Sequence, residues 1–89
     1  MKLVIYSKPN CIQCDKVKMQ CDEMGIDYVT YDATLDQNFI KDKLKPNIPP
    51  NHRMFPVLFV FNVGIDEYTE PSKGKYVDSL ETYMRVYNP

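Results

Sequence analysis

Cys11-Ile12-Gln13-Cys14 sets two thiols three positions apart, after the turn-forming stretch Ser7-Lys8-Pro9-Asn10 and at the start of a helix-compatible run. At a helix start such a pair can close and reopen a small disulfide ring. Free backbone N–H groups and the helix dipole there stabilise negative charge, so the Cys11 thiol is expected to ionise nearer neutrality than a free cysteine. Lys8, three residues upstream, adds positive charge. The expected chemistry is thiol–disulfide exchange. Cys11 attacks a substrate disulfide. Cys14, one turn into the helix and less exposed, attacks the resulting mixed disulfide and releases reduced substrate. Ile12 and Gln13 tune the couple, and the potential is expected between about −270 and about −180 mV.

A competing reading makes Cys11 and Cys14 half of a zinc or iron–sulfur site. Cys21 and His52 are the remaining soft ligands. Cys21 is expected on the inward helical face as a small core residue, and His52 reads as a surface histidine in a loop. No second CxxC or histidine pair completes a zinc-finger spacing.

The elements that position the motif follow from hydrophobic periodicity. Lys2 to Tyr6 reads as a buried strand. Cys11 to Met24 reads as a helix, with Cys14, Val17, Cys21 and Met24 on one face, ended by Gly25. Asp27 to Tyr31 predicts a strand parallel to the first. Thr34 is expected to cap a second helix, Leu35 to about Leu44, with Leu35, Phe39 and Ile40 facing in. Three prolines make Pro46 to Asn51 a loop. The long stretch Pro46 to Arg53 either shapes a partner surface beside the site or is a tolerated insertion. Pro56 to Phe61, apolar throughout, predicts a central strand, and Ile65 to Thr69 a short strand pairing antiparallel with it. Lys75 to Tyr87 is expected as the last helix, with Val77, Leu80, Met84 and Tyr87 on one face. The order βαβαββα predicts a single α/β domain over residues 1–89, a small mixed four-stranded sheet with helices on both faces. The Phe55–Pro56 bond precedes a strand and is open to either isomer. Tyr6 is a candidate wall of the site.

Composition narrows the function classes. The chain has 89 residues, 44% hydrophobic and 26% charged, as in an ordinary soluble domain. Its 11 basic and 12 acidic residues nearly cancel, so no bulk charge draws it to nucleic acid or to an anionic membrane. Leu3 to Tyr6 is too short for a signal-peptide core, and Phe55 to Phe61 is far short of a membrane span. Three cysteines do not make a secreted disulfide scaffold. The expected compartment is the cytoplasm, and the expected state a monomer.

Tyr6-Ser7-Lys8-Pro9-Asn10-Cys11-Ile12-Gln13-Cys14 resembles the active-site segment of glutaredoxins and, more closely, of NrdH-redoxins, which typically carry Cys-Val-Gln-Cys. Met54-Phe55-Pro56-Val57 resembles the family segment that ends in a cis-proline facing the disulfide. The resemblance implies a thioredoxin-like fold. It implies Cys11 as attacking and Cys14 as resolving thiol. Lys8, Gln13, Phe55 and Pro56 become substrate-binding positions: Lys8 supports the thiolate or a glutathione carboxylate, and Phe55 and Pro56 hold an extended peptide. It implies no bound cofactor, with electrons from NADPH through thioredoxin reductase or from glutathione. The implied client is a disulfide-containing protein, with ribonucleotide reductase as the NrdH-type example. Glutathione-dependent glutaredoxin activity and a non-enzymatic metal or scaffold module are the alternatives. The match departs before the last helix. Glutaredoxins have Gly-Gly and an acidic residue there, contacting glutathione, and NrdH-redoxins have Trp-Ser-Gly-Phe-Arg-Pro. This chain reads Pro71-Ser72-Lys73-Gly74-Lys75-Tyr76-Val77-Asp78 and has no Trp.

Overall fold

The computed structural model of the chain describes residues 1–88. Its strands are β1 (Lys2–Ser7), β2 (Tyr28–Asp32), β3 (Val57–Phe61) and β4 (Lys75–Val77), and its α-helices are α1 (Ile12–Glu23) and α2 (Leu80–Val86). The sheet runs β2-β1-β3-β4. β1 is parallel to β2 and antiparallel to β3, and β3 is antiparallel to β4.

Leu3, Val4, Ile5 and Tyr6 are all fully buried. A strand alternates its side chains between two faces, so an unbroken apolar run requires cover on both. Leu3 and Ile5 meet Cys21 of α1, Tyr83 of α2, Leu58, Val60 and Val77. Val4 and Tyr6 meet Phe39, Leu44, Val57, Phe59 and Phe61 on the opposite face. Burying each large apolar side chain contributes about 1.5–3 kcal/mol, which makes β1 and β3 the strands whose loss would undo the domain.

α1 starts and stops where its sequence allows. Cys11 is the N-cap, in extended conformation. At the other end Gly25 takes φ +69°, where a glycine has no Cβ penalty. The Gly25 N–H donates to the Asp22 carbonyl and the Ile26 N–H to the Cys21 carbonyl at 2.9 Å. Ile26 and Cys21 share one core cluster, completing a Schellman stop. Cys14 and Cys21 face inward as expected and Val17 packs beside them, whereas Met24 is the exposed C-cap.

Three expectations are corrected. The second helix shrinks to a π-helical turn, Ile40–Leu44, running into a 3₁₀ turn, Lys45–Asn47. The Thr34 N–H and hydroxyl donate to Asp32 Oδ1, so Thr34 closes a side-chain turn instead of capping a helix. Asp36 makes a similar turn by accepting the Asn38 N–H. Leu35 points to solvent, 76% exposed, while Phe39 is buried. Pro46 sits in the first positions of the 3₁₀ turn, where its missing N–H costs no hydrogen bond.

The fourth strand lies at Lys75–Val77, not at Ile65 to Thr69. Ile65 to Thr69 is tied into turns instead, by Ile65 N–H to the Asn62 carbonyl and Glu70 N–H to the Glu67 carbonyl. Tyr68 accepts the Tyr6 hydroxyl on its backbone carbonyl at 2.7 Å, and its own hydroxyl accepts from Lys2 Nζ. The last helix is accordingly shorter than expected. Asp78 and Ser79 break the chain after β4, and Ser79 caps α2 through the Thr82 N–H.

Gly74 explains why β4 can approach β3. A Cβ there would lie 2.7 to 2.9 Å from three ring carbons of Phe61. That ring is buried and packs against Tyr68 and Phe59. Gly74→Ala is therefore expected to lower unfolding stability by about 1–3 kcal/mol, read as a lower urea midpoint in circular dichroism. A loss within about 0.5 kcal/mol would show that the ring yields.

Candidate active site

The antiparallel register opposes Tyr6 of β1 to Val57 of β3. The C-terminal end of β1 and the N-terminal end of β3 therefore lie side by side. The loop that leaves β1 carries Lys8 to Cys11, and the loop that enters β3 carries Phe55 and Pro56. Two segments far apart in sequence meet at one end of the sheet. The Lys8 ammonium lies 5.9 Å from the Phe55 ring centroid, a cation–π contact across them.

Cys11 and Cys14 are joined by a disulfide, with Cα atoms 5.2 Å apart. Asn10, at φ 56°, turns the chain into Cys11. Cys11 Sγ accepts the backbone N–H of Cys14 at 3.1 Å. The Asp15 N–H goes to the Cys11 carbonyl, as an N-cap requires. Cys11 is 8% exposed and Cys14 1%. Cys11 is thus the more accessible residue of the two, in the order expected. Ile12 and Gln13 stand out from the surface, Ile12 at 72% exposure.

Phe55–Pro56 is a cis peptide. Tyr6 is not a wall of the site. It is fully buried, its ring packs edge-on against Tyr31 and Phe59, and burial pushes its phenol well above the ordinary range. Cys21 lies on the inward face of α1, in the core, and burial raises its thiol pKa. Among the described residues no three His, Cys, Asp or Glu side chains converge as a metal group would.

His52 has a different place from the surface one expected. Its Nε2 lies 2.8 Å from the Met54 carbonyl oxygen and 3.2 Å from that of Pro56. Two carbonyls can only accept, so Nε2 carries the proton. Nδ1 then accepts the hydroxyl of Tyr76 on β4, whose ring it meets edge-on. His52 thereby ties both sides of Phe55 to the far strand of the sheet. No local pattern marks this role, because its partners lie in a loop and on β4.

On the α-helical side of Pro56 is a cleft of about 790 Å³ between α1 and α2. Asp78, Ser79 and Gln20 line it together with Pro56. Contacts with Thr82 and Ser79 hold the Asp78 carboxyl below the usual range.

A parallel βαβ unit with a cysteine pair at its helix start, followed by an antiparallel hairpin pair and a closing helix, defines a thioredoxin-like fold. The glutaredoxin family model matches residues 3–65, more than half of the chain, and the protein belongs to the glutaredoxin family. No curated protein and no solved structure matches the chain. Membership implies thiol–disulfide oxidoreductase chemistry. The matched stretch ends before β4 and α2, where the sequence resemblance also departs.

The chain has one histidine, so its ring can be observed without ambiguity. Long-range ¹H–¹⁵N correlation of the neutral imidazole is expected to show the Nε2–H tautomer, and Tyr76→Phe is expected to keep it, because the two carbonyls still demand a donor. A dominant Nδ1–H tautomer would break this assignment.

Proposed function

We propose that the protein is a dithiol oxidoreductase that reduces protein disulfides, with Cys11 as nucleophile and Cys14 as resolving thiol. The observation that carries this reading is the N-cap position of Cys11, where its sulfur receives the Cys14 N–H. In the reduced state the same N–H and the helix end stabilise a thiolate. The Cys11 thiolate attacks one client sulfur and the other leaves as a thiolate that takes a proton. Cys14, losing its proton, attacks Cys11 and expels the second client thiol. Two electrons and two protons pass to the client, and the Cys11–Cys14 disulfide is left behind.

The remaining predicted positions serve the client. The Phe55 backbone offers strand-like pairing to an extended peptide, with Pro56 beside it and His52 holding the carbonyls on either side. Gln13 is exposed at the motif surface and Lys8 lies over Phe55, both placed to meet a bound chain. No bound cofactor enters the cycle. NADPH through thioredoxin reductase regenerates the dithiol, the client is a ribonucleotide reductase or a similar disulfide protein, and the protein works as a cytoplasmic monomer.

A second reading takes glutathione as the reductant. Asp78 favours it: the carboxylate stands just before the N-cap of α2 and shares a cleft with Pro56. Glutathione carries an ammonium group that such a carboxylate would attract, although only one of the two family glycines is present upstream.

NADPH consumption during reduction of a model disulfide separates the two. Turnover with thioredoxin reductase is expected, abolished by Cys11→Ser, while Cys14→Ser accumulates mixed disulfides. Turnover that survives in Cys11→Ser would refute the dithiol mechanism. Turnover confined to glutathione plus glutathione reductase, weakened several-fold by Asp78→Asn, would make glutathione the donor.

A further inference from the structure

On the face of the sheet away from α1 and α2, the Pro46 to Arg53 stretch forms one side of a half-open cavity of about 630 Å³. This is within the size range of ligand sites, about 300–1,000 Å³. Ile40, Leu44, Ile48 and Phe55 form its apolar walls. Pro49 and Pro50 line it too, and their fixed φ angles stiffen that side before anything binds. Met54 forms an adaptable lip, 71% exposed. Two cations, Lys45 and Arg53, line the cavity and no acidic side chain does. Among the described residues neither has an ion-pair partner, whereas neighbouring Lys43 is paired with Glu70.

The cavity is continuous with the proposed client path through a single residue. Phe55 is the backbone on which an extended client would lie, and its ring is a wall of the cavity. Lys8 covers the same ring and extends the positive rim toward the cysteines. His52 lines the cavity while it holds Met54 and Pro56, so lip and client path are fixed by one side chain.

We propose that this cavity is a client-recognition subsite: it takes one apolar side chain of the disulfide-bearing peptide, and Lys45 and Arg53 select clients with acidic residues beside that side chain. The proposal rests on the dithiol exchange reading above and adds the sequence class of its substrate. Apolar contact supplies the affinity. The two cations supply the preference, since like charge on the peptide would meet them uncompensated.

Three disulfides test it with the reduced full-length protein: a cyclic cystine peptide flanked by Glu-Leu-Glu, its Lys-Leu-Lys counterpart, and hydroxyethyl disulfide. Rates come from acid-quenched thiol release. The acidic peptide is expected to be reduced faster than the basic one by about tenfold or more, the lower range of electrostatic steering. In the double variant Lys45→Glu with Arg53→Glu this ratio is expected to vanish or invert. A Ser-for-Cys form of the acidic peptide is expected to shift the methyl resonances of Ile40, Ile48 and Met54. Equal rates for the two peptides, an unchanged ratio in the variant, or shifts confined to other residues would each overturn the subsite. If hydroxyethyl disulfide is reduced but the peptides are not distinguished, the subsite fails alone. If no disulfide is reduced, the exchange reading fails, and methyl shifts with the Ser peptide would still support the cavity as a peptide site. A concentration-dependent dimer that the peptide displaces would mean that a second copy of the chain fills the cavity, and would overturn the proposal.

Discussion

The pairing of β1 with β3 is the constraint on which the site depends. Both strands are apolar on both faces and fully covered, so neither can slip by one residue without exchanging its two cores. The register that results opposes Tyr6 to Val57. It leaves the Cys11 loop and the Pro56 loop as neighbours at one sheet end, without any contact between their own residues having to hold them there. The Lys8–Phe55 contact is exposed and individually weak. The accuracy of the site comes from the buried strands behind it.

The two faces of the sheet then divide the work. On one face α1 is held by Cys21 and Val17 against Leu3, Ile5 and Leu58. Its cap geometry places Cys11 at the helix end, slightly exposed, and keeps Cys14 fully inward. On the other face Phe39, Leu44 and Ile48 pack over Val4, Tyr6 and Phe59 and support the loop that enters β3. The helix that carries the cysteine pair and the ring of Phe55 are therefore packed in separate clusters on opposite faces of the sheet. A change in the proline-rich loop can therefore leave the packing of the helix that carries the cysteines in place.

What could be read from the sequence were features set by neighbours along the chain. The apolar runs of β1 and β3, the face of α1 from Cys14 to Cys21, its stop at Gly25 and the paired cysteines are all local signals, and all appear in the structure; Met24, at the helix end, leaves that face. The failures share an origin. Ile65 to Thr69 has the composition of a strand, yet Tyr68 is drawn into bonds with Tyr6 and Lys2, more than sixty positions away. β4 depends on the lack of a Cβ at Gly74 where Phe61 crosses it, a contact with no trace in the pattern. The expected second helix has apolar residues at helical spacing, but Asp32 and Asp36 offer the backbone competing side-chain partners. Each error arose where a side chain or a distant ring outweighed a weak propensity.

His52 extends this reasoning from fold to function. Placed between the prolines and Met54, it looks like any loop histidine. In the fold it is the link between β4 and the Phe55 segment, by Tyr76 on one ring nitrogen and two carbonyls on the other. β4 lies outside the stretch that matches the family, and it is the strand that the sequence pattern placed wrongly. The part of the chain that departs from its relatives is thus wired by one side chain to the part that resembles them. That arrangement lets the C-terminal stretch beyond the match hold the Phe55 segment in place while the cysteine motif stays as it is.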